Sequence, residues 1–258
     1  MRAWLQGAVR LVILIAVSAL ALQLYFIARV ALMAIVDPQS TTFQRSEMWR
    51  MLSEHHRIVW SQQWVPYDRI SPQLKRAVIA SEDASFTDHG GVDWEALEKA
   101  WERNLRAEVR AEQANGQSER RAARSSSGLV PRKVQAKIVG GSTITQQLAK
   151  NLFLSGERAL PRKAQEFVIT FMLESLLSKQ RILEIYLNNV EWGEGLFGAE
   201  AAARHYFHVG AAQLGAYPSA RLAVMLPAPK RFEKRPGSAY VAGRAATIVA
   251  RMNDIELP

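Results

Sequence analysis

Gly140-Gly141-Ser142-Thr143-Ile144-Thr145-Gln146-Gln147-Leu148-Ala149-Lys150-Asn151 is the stretch on which the reading of the whole chain turns. The two glycines end whatever precedes them, and Ser142 supplies a helix-capping hydroxyl. Wound at 100° per residue, the following helix puts Thr143, Gln146, Gln147, Lys150 and Asn151 on one arc of about 140°. Ile144, Leu148 and Leu152 take the other side. A merely solvated face usually carries Glu and Lys. Amides and hydroxyls in this concentration suit a sugar or phosphate ligand, and the backbone amides of the helix start add an anion site.

Downstream, Pro161-Arg162-Lys163-Ala164-Gln165-Glu166 opens a second helix, apolar through Leu177. Glu166 shares its arc with Ile169, Leu173 and Leu177, so it borders the interior. Either it forms a local pair with Arg162, contributing about 0.3–0.5 kcal/mol, or it serves the cationic cluster of Lys150, Arg158, Arg162 and Lys163. That cluster suits a pyrophosphate.

Upstream, Ser71-Pro72 starts a helix whose stripe is Leu74, Ala77 and Val78. Glu82 falls on the edge of that stripe, at a helix C-terminus. Partial burial and the local dipole both raise its pKa toward what a general base or acid needs. The plain structural alternative is that Glu82 or Asp83 caps the turn leading to Gly90-Gly91.

The remaining text is mostly helical, with helices expected over 72–83, 93–107, 143–153, 161–187, 196–206, 219–226 and 238–253. Gly193, Gly195 and Gly198 have the spacing of a dinucleotide fingerprint. They follow a helix where the fingerprint needs a strand, so a tight helix–loop–helix corner is the better reading. From Leu11 to Ala28 the chain is almost uninterrupted apolar residue, about 27 Å of helix against a roughly 30 Å hydrocarbon core. No small-x-small cleavage site follows, which favours an uncleaved anchor over a signal peptide or a buried core helix. Arg2, Arg10 and the N-terminal amine flank one end and Arg29 the other, a balance that modestly favours a cytoplasmic N-terminus. The chain thus divides into a cytoplasmic segment 1–10, a transmembrane anchor 11–36, a polar connector 37–65 and one domain, 66–258. Within the domain, 103–137 reads as a solvated, mobile insertion without a clear apolar face. Its 126–132 run resembles a protease-site linker by coincidence.

The formal charge is +9 and there are no cysteines among 258 residues. That excludes disulfides and thiolate metal sites, and points to an anionic partner. Nucleic acid qualifies by charge alone, but no nucleic-acid motif is present.

Together, Glu-Asp-x-x-Phe-x-x-His-x-Gly (82–91), the 140–151 stretch and Arg-Lys-x-x-Glu (162–166) resemble glycosyltransferase family 51, the peptidoglycan glycosyltransferases. Ile-Leu-Glu-x-Tyr-Leu-Asn through Gly-x-Gly-x-x-Gly (182–198) and a weaker block at Leu222–Pro229 complete the set. The resemblance covers residues 66–236, about two-thirds of the chain. It implies a mainly α, lysozyme-like, two-lobed domain behind one transmembrane helix. It also implies inverting polymerisation of lipid II, with release of undecaprenyl pyrophosphate, by a cell-wall enzyme of the inner membrane with a periplasmic catalytic domain. Glu82 is then the base, and Glu166 organises the donor pyrophosphate. Substrate contacts are implied for Asp83, Phe86, His89, Ser142, Thr143, Gln146, Gln147, Lys150, Asn151, Arg158, Arg162 and Lys163. No cofactor is required, though a divalent cation (Mg or Mn) at Glu166 is compatible. The implied partners are lipid II, the growing glycan strand, the membrane, and cell-wall synthesis or division proteins. Two features depart from the family pattern. Gln165 stands where some relatives carry lysine, and the 103–137 segment is long. Ser-x-x-Lys and Lys-Thr-Gly, which a transpeptidase needs, do not occur, so the monofunctional form is expected. The competing readings are a lytic transglycosylase of similar fold and an inactive wall-synthesis scaffold.

Overall fold

The computed structural model describes residues 2–124, 133–136, 140–154 and 160–258. The helices are α1 (Arg2–Leu32), α2 (Thr42–His55), α3 (Pro72–Glu82), α4 (Trp94–Arg124), α5 (Ile144–Phe153) and α6 (Leu160–Leu176). They continue as α7 (Lys179–Asn189), α8 (Ala199–Phe207), α9 (Ala216–Met225), α10 (Pro229–Phe232) and α11 (Ala239–Arg251). The chain is mainly α, as the sequence implies. It divides into two compact units, Met1–Gly91 with Ile144–Pro258, and Val92–Thr143.

In the first unit α3, α9 and α11 pack on one another around Leu74, Ala77, Val78, Leu222, Ala223, Val241 and Ala245, all fully buried. Ser71 caps α3 through the Gln73 amide with Pro72 at the first helical position, as expected. The 161–187 helix is instead two helices. Ser178 caps α7 by accepting from the Arg181 amide at 3.2 Å, which breaks the run after Leu177. The connector also contains a helix. Thr41 and Gln44 form a reciprocal capping box that starts α2, a Thr-x-x-Gln signal present in the sequence.

A small sheet joins three short strands, β1 (Ser61–Gln62), β2 (Glu191–Gly193) and β3 (Leu196–Phe197), in the order β1-β3-β2. The corner between α7 and α8 is therefore a β2–β3 hairpin rather than a loop alone. Its glycines are there for space. A Cβ on Gly195 would sit 2.0 Å from the Val59 carbonyl oxygen, and one on Gly198 2.7 Å from that of Asn188. Both residues have positive φ.

Helix α1 is 31 residues long and holds one segment long and apolar enough to cross a membrane, Trp4–Leu32. Its apolar side chains from Leu11 to Leu24 are mostly exposed, with only Phe26, Val30 and Met33 buried near its end. A soluble core helix would show the reverse. The lower end is tied to the domain. Gln23 and Gln165 exchange hydrogen bonds of 2.9 and 3.1 Å, and the Arg181 guanidinium donates to the Met33 carbonyl and pairs with Asp37.

In the second unit α4 runs to Arg124, well past the 93–107 helix expected there, so the first two-thirds of the 103–137 segment is helical. Its Ala, Glu, Arg and Leu content favours a helix, and Glu95–Lys99 and Glu102–Arg106 pairs at four-residue spacing add to it. The helix is solvated as expected, yet it carries an exposed apolar stripe of Trp94, Trp101, Leu105 and Val109. The 126–132 run lies outside the described residues.

Candidate active site

Glu82 ends α3 half-buried. Its Oε2 accepts a hydrogen bond from Gln147 Nε2 at 2.9 Å, and Gln147 Oε1 accepts one from the Tyr186 hydroxyl at 3.0 Å. Tyr186 is fully buried on α7, and burial above all, then the Glu82 and Asp83 charges, holds its pKa far above the usual value. It therefore stays a neutral donor and keeps the Gln147 amide turned with its N–H toward Glu82. Burial raises the Glu82 pKa; the Gln147 hydrogen bond opposes this and the Asp83 charge adds to it.

Asp83 does different work. Its Oδ2 accepts from the Ile144 amide at 2.9 Å, supplying the first-turn acceptor expected from Ser142. Its Oδ1 lies 2.8 Å from His89 Nε2. The Gly91 amide donates to His89 Nδ1 at 3.1 Å, so the ring proton sits on Nε2 and donates to Asp83. Phe86 is fully buried, with the Lys179 ammonium 4.5 Å from its ring centre, and that ammonium also donates to the His89 carbonyl. Asp83, Phe86 and His89, expected among the substrate contacts, thus engage protein groups. They fix the end of α3 to the start of α5 and so aim Glu82.

Gln147 also lines a cavity of about 450 Å³ with Lys150, Asn151, Arg162, Phe43 and Glu191. Three members of the polar arc therefore face one space, whereas Gln146 is buried elsewhere. Ser142 and Thr143 belong to the second unit. Arg158 lies outside the described residues. Glu166 is 3 % exposed, and both its oxygens are taken: Oε1 by Lys163, and Oε2 by Arg162 at 3.2 Å. Burial lowers the Lys150 pKa; Glu166 opposes this, and the Arg162 and Lys163 charges reinforce it.

These residues do not fit a resident divalent cation. Each oxygen of the Glu166 carboxylate already meets a cation, which would repel a metal ion there, and among the described residues no group of three or more His, Cys, Asp or Glu is placed to hold a metal. Two further residues join the site without a signal of their own in the sequence: Tyr186, within the 182–198 block, and Glu191, beside the glycine corner.

A half-buried carboxylate of raised pKa, hydrogen-bonded to an amide that also borders a cation-lined cavity, has the chemistry of an acid–base group beside an anion-binding space. The family model described as Transglycosylase matches residues 50–119 and 120–253, and the chain belongs to that family. Among its relatives is a biosynthetic peptidoglycan transglycosylase of Burkholderia orbicola (strain MC0-3), 50% identical over 240 residues, which are 93% of this chain and 86% of the relative. Proteins with the same description from Burkholderia multivorans (strain ATCC 17616 / 249) and Burkholderia thailandensis (strain ATCC 700388 / DSM 13276 / CCUG 48851 / CIP 106301 / E264) are 49% and 48% identical. Each again covers 93% of this chain, and 86% and 83% of its own length.

Proposed function

We propose that this chain is a peptidoglycan glycosyltransferase that polymerises lipid II into glycan strands. The acceptor 4-hydroxyl attacks the anomeric carbon of the donor, and Glu82 takes its proton. The bond to the pyrophosphate oxygen breaks, and undecaprenyl pyrophosphate leaves with inversion. Gln147 holds Glu82 in place without neutralising it. Lys150, Arg162 and Lys163 receive the negative charge that grows on the leaving group, and by family resemblance Arg158 joins them. Glu166 sets the spacing of Arg162 and Lys163 and limits their mutual repulsion. No covalent enzyme intermediate is needed.

The observation that carries this reading is the Tyr186–Gln147–Glu82 chain, whose middle member Gln147 lines the cavity it shares with Lys150 and Arg162. The exposed apolar length of α1 supports single-pass anchoring. Arg2 and Arg10 support a cytoplasmic N-terminus and, with it, a catalytic domain on the periplasmic side of the inner membrane. The test is incubation of the purified, detergent-solubilised chain with labelled lipid II, followed by size separation. Glycan polymer with stoichiometric release of undecaprenyl pyrophosphate is expected. Folded protein that forms no polymer, or that only cuts pre-made glycan, contradicts the proposal.

A further inference from the structure

Two polar atoms on side chains that line the cavity have no hydrogen-bond partner among the described residues, Arg162 Nε and Glu191 Oε1. One is a buried donor and the other a buried acceptor. Leaving such a group unpaired costs roughly 1–3 kcal/mol, so two in one cavity lining point to a ligand that offers both an acceptor and a donor. Arg162 belongs to the cationic side already described. Glu191 is the odd member, a carboxyl in a cavity whose other charged lining groups, Lys150 and Arg162, are positive.

Glu191 opens β2 and is 5 % exposed. Its nearest cation, the Lys230 ammonium on α10, stands 3.7 Å from Oε1, because that ammonium is bonded to Glu47 on α2. Glu233 and Arg50 also act on it electrostatically. Burial is the largest influence, and the carboxyl is pushed up to about 7; Lys230 and Arg50 pull it down, and Glu47 and Glu233 push it up. A ligand ammonium would be repelled by Lys150 and Arg162, which leaves a neutral donor as the group this carboxyl suits.

We propose that Glu191 is a substrate-binding residue of this cavity. It accepts a hydrogen bond from a sugar hydroxyl or acetamido N–H of the same molecule whose anionic group meets Arg162 and Lys150. The inference rests on the proposed function for the identity of that molecule, and its test reads binding rather than turnover. Labelled lipid II is titrated into the full chain in detergent micelles from pH 6 to 8.5, for wild type, Glu191→Gln and Lys230→Met, with folding followed by near-ultraviolet circular dichroism.

At pH 8 the wild type binds about tenfold tighter than Glu191→Gln, the scale of one hydrogen bond to a charged group. The gap closes toward pH 6, where the wild-type carboxyl is protonated and accepts less well. Lys230→Met moves the midpoint of the wild-type profile to higher pH, because Lys230 holds the Glu191 pKa down, and it serves alone if Glu191→Gln does not fold. Affinities within twofold at pH 8, or a profile that Lys230→Met leaves in place, overturn the inference. Polymer formation with Glu191-independent binding sinks this inference alone. Glu191-dependent binding without polymer sinks the proposed function alone, and folded wild type that does not bind lipid II overturns both.

Discussion

The surroundings of Glu82 and of Glu166 differ in the charge of the groups that meet each carboxylate. Glu82 receives one hydrogen bond, from the neutral amide of Gln147, whereas Glu166 is held between the cations of Arg162 and Lys163. Both lie on helices beside the interior, and from spacing alone they look like equivalent candidates. Burial works against the ionised form of Glu82, and one amide offsets that only in part. Glu166 instead pairs with two cations, one on each carboxylate oxygen. On the proposed function the first carboxylate exchanges the proton, and the second holds Arg162 and Lys163 in register.

The largest expected effect breaks this comparison at Glu82. Glu82→Gln removes the base while keeping the shape and the Gln147 contact. Polymerisation should fall by about 10²–10⁴-fold, with denaturation midpoints close to wild type. Glu166→Gln should show the complementary pattern. It leaves Arg162 and Lys163 facing a neutral amide, so stability should fall by about 1–3 kcal/mol, measured by chemical denaturation, with lipid II binding weakened as Lys150 loses a favourable neighbour. A stable Glu166→Gln beside an unfolded Glu82→Gln would reverse the assignment. The smallest effect sharpens the boundary of the site. Gln23→Leu breaks the amide pair that ties α1 to the residue before Glu166. It should cost about 0.6 kcal/mol, the scale of polar pairs in membrane proteins, and leave kcat nearly unchanged. A tenfold loss of kcat would make the anchor part of the machinery.

Much of the fold was legible because helices with sharp starts leave local marks. Ser71-Pro72 begins α3, and the polar arc from Gln147 to Asn151 does border a cavity. The misses have physical causes. The break between α6 and α7 rests on one serine hydroxyl, with no glycine or proline to mark it. The strands are two or three residues long and β2 and β3 are buried throughout, so no alternation could appear. The α4 extension is rich in helix formers but also in charge, and past Val109 it has no apolar face to mark it as a helix. At the site, both glutamates stood out by their place on apolar stripes. The cap that Asp83 gives Ile144 spans 61 residues of sequence and leaves no local trace. Glu191 was hidden for the same reason: its neighbours Lys230, Glu47 and Glu233 come together only in the fold.

The most direct test of the Glu82 assignment is the pH dependence of kcat for lipid II polymerisation, compared between wild type and Gln147→Leu. Glu82 is raised in the folded chain, so the base form is lost as pH falls through a value above the ordinary 4.5. Gln147 holds that value down, so Gln147→Leu should move the acid limb to higher pH. An acid limb at the ordinary carboxylate value, unmoved by Gln147→Leu, would contradict the account.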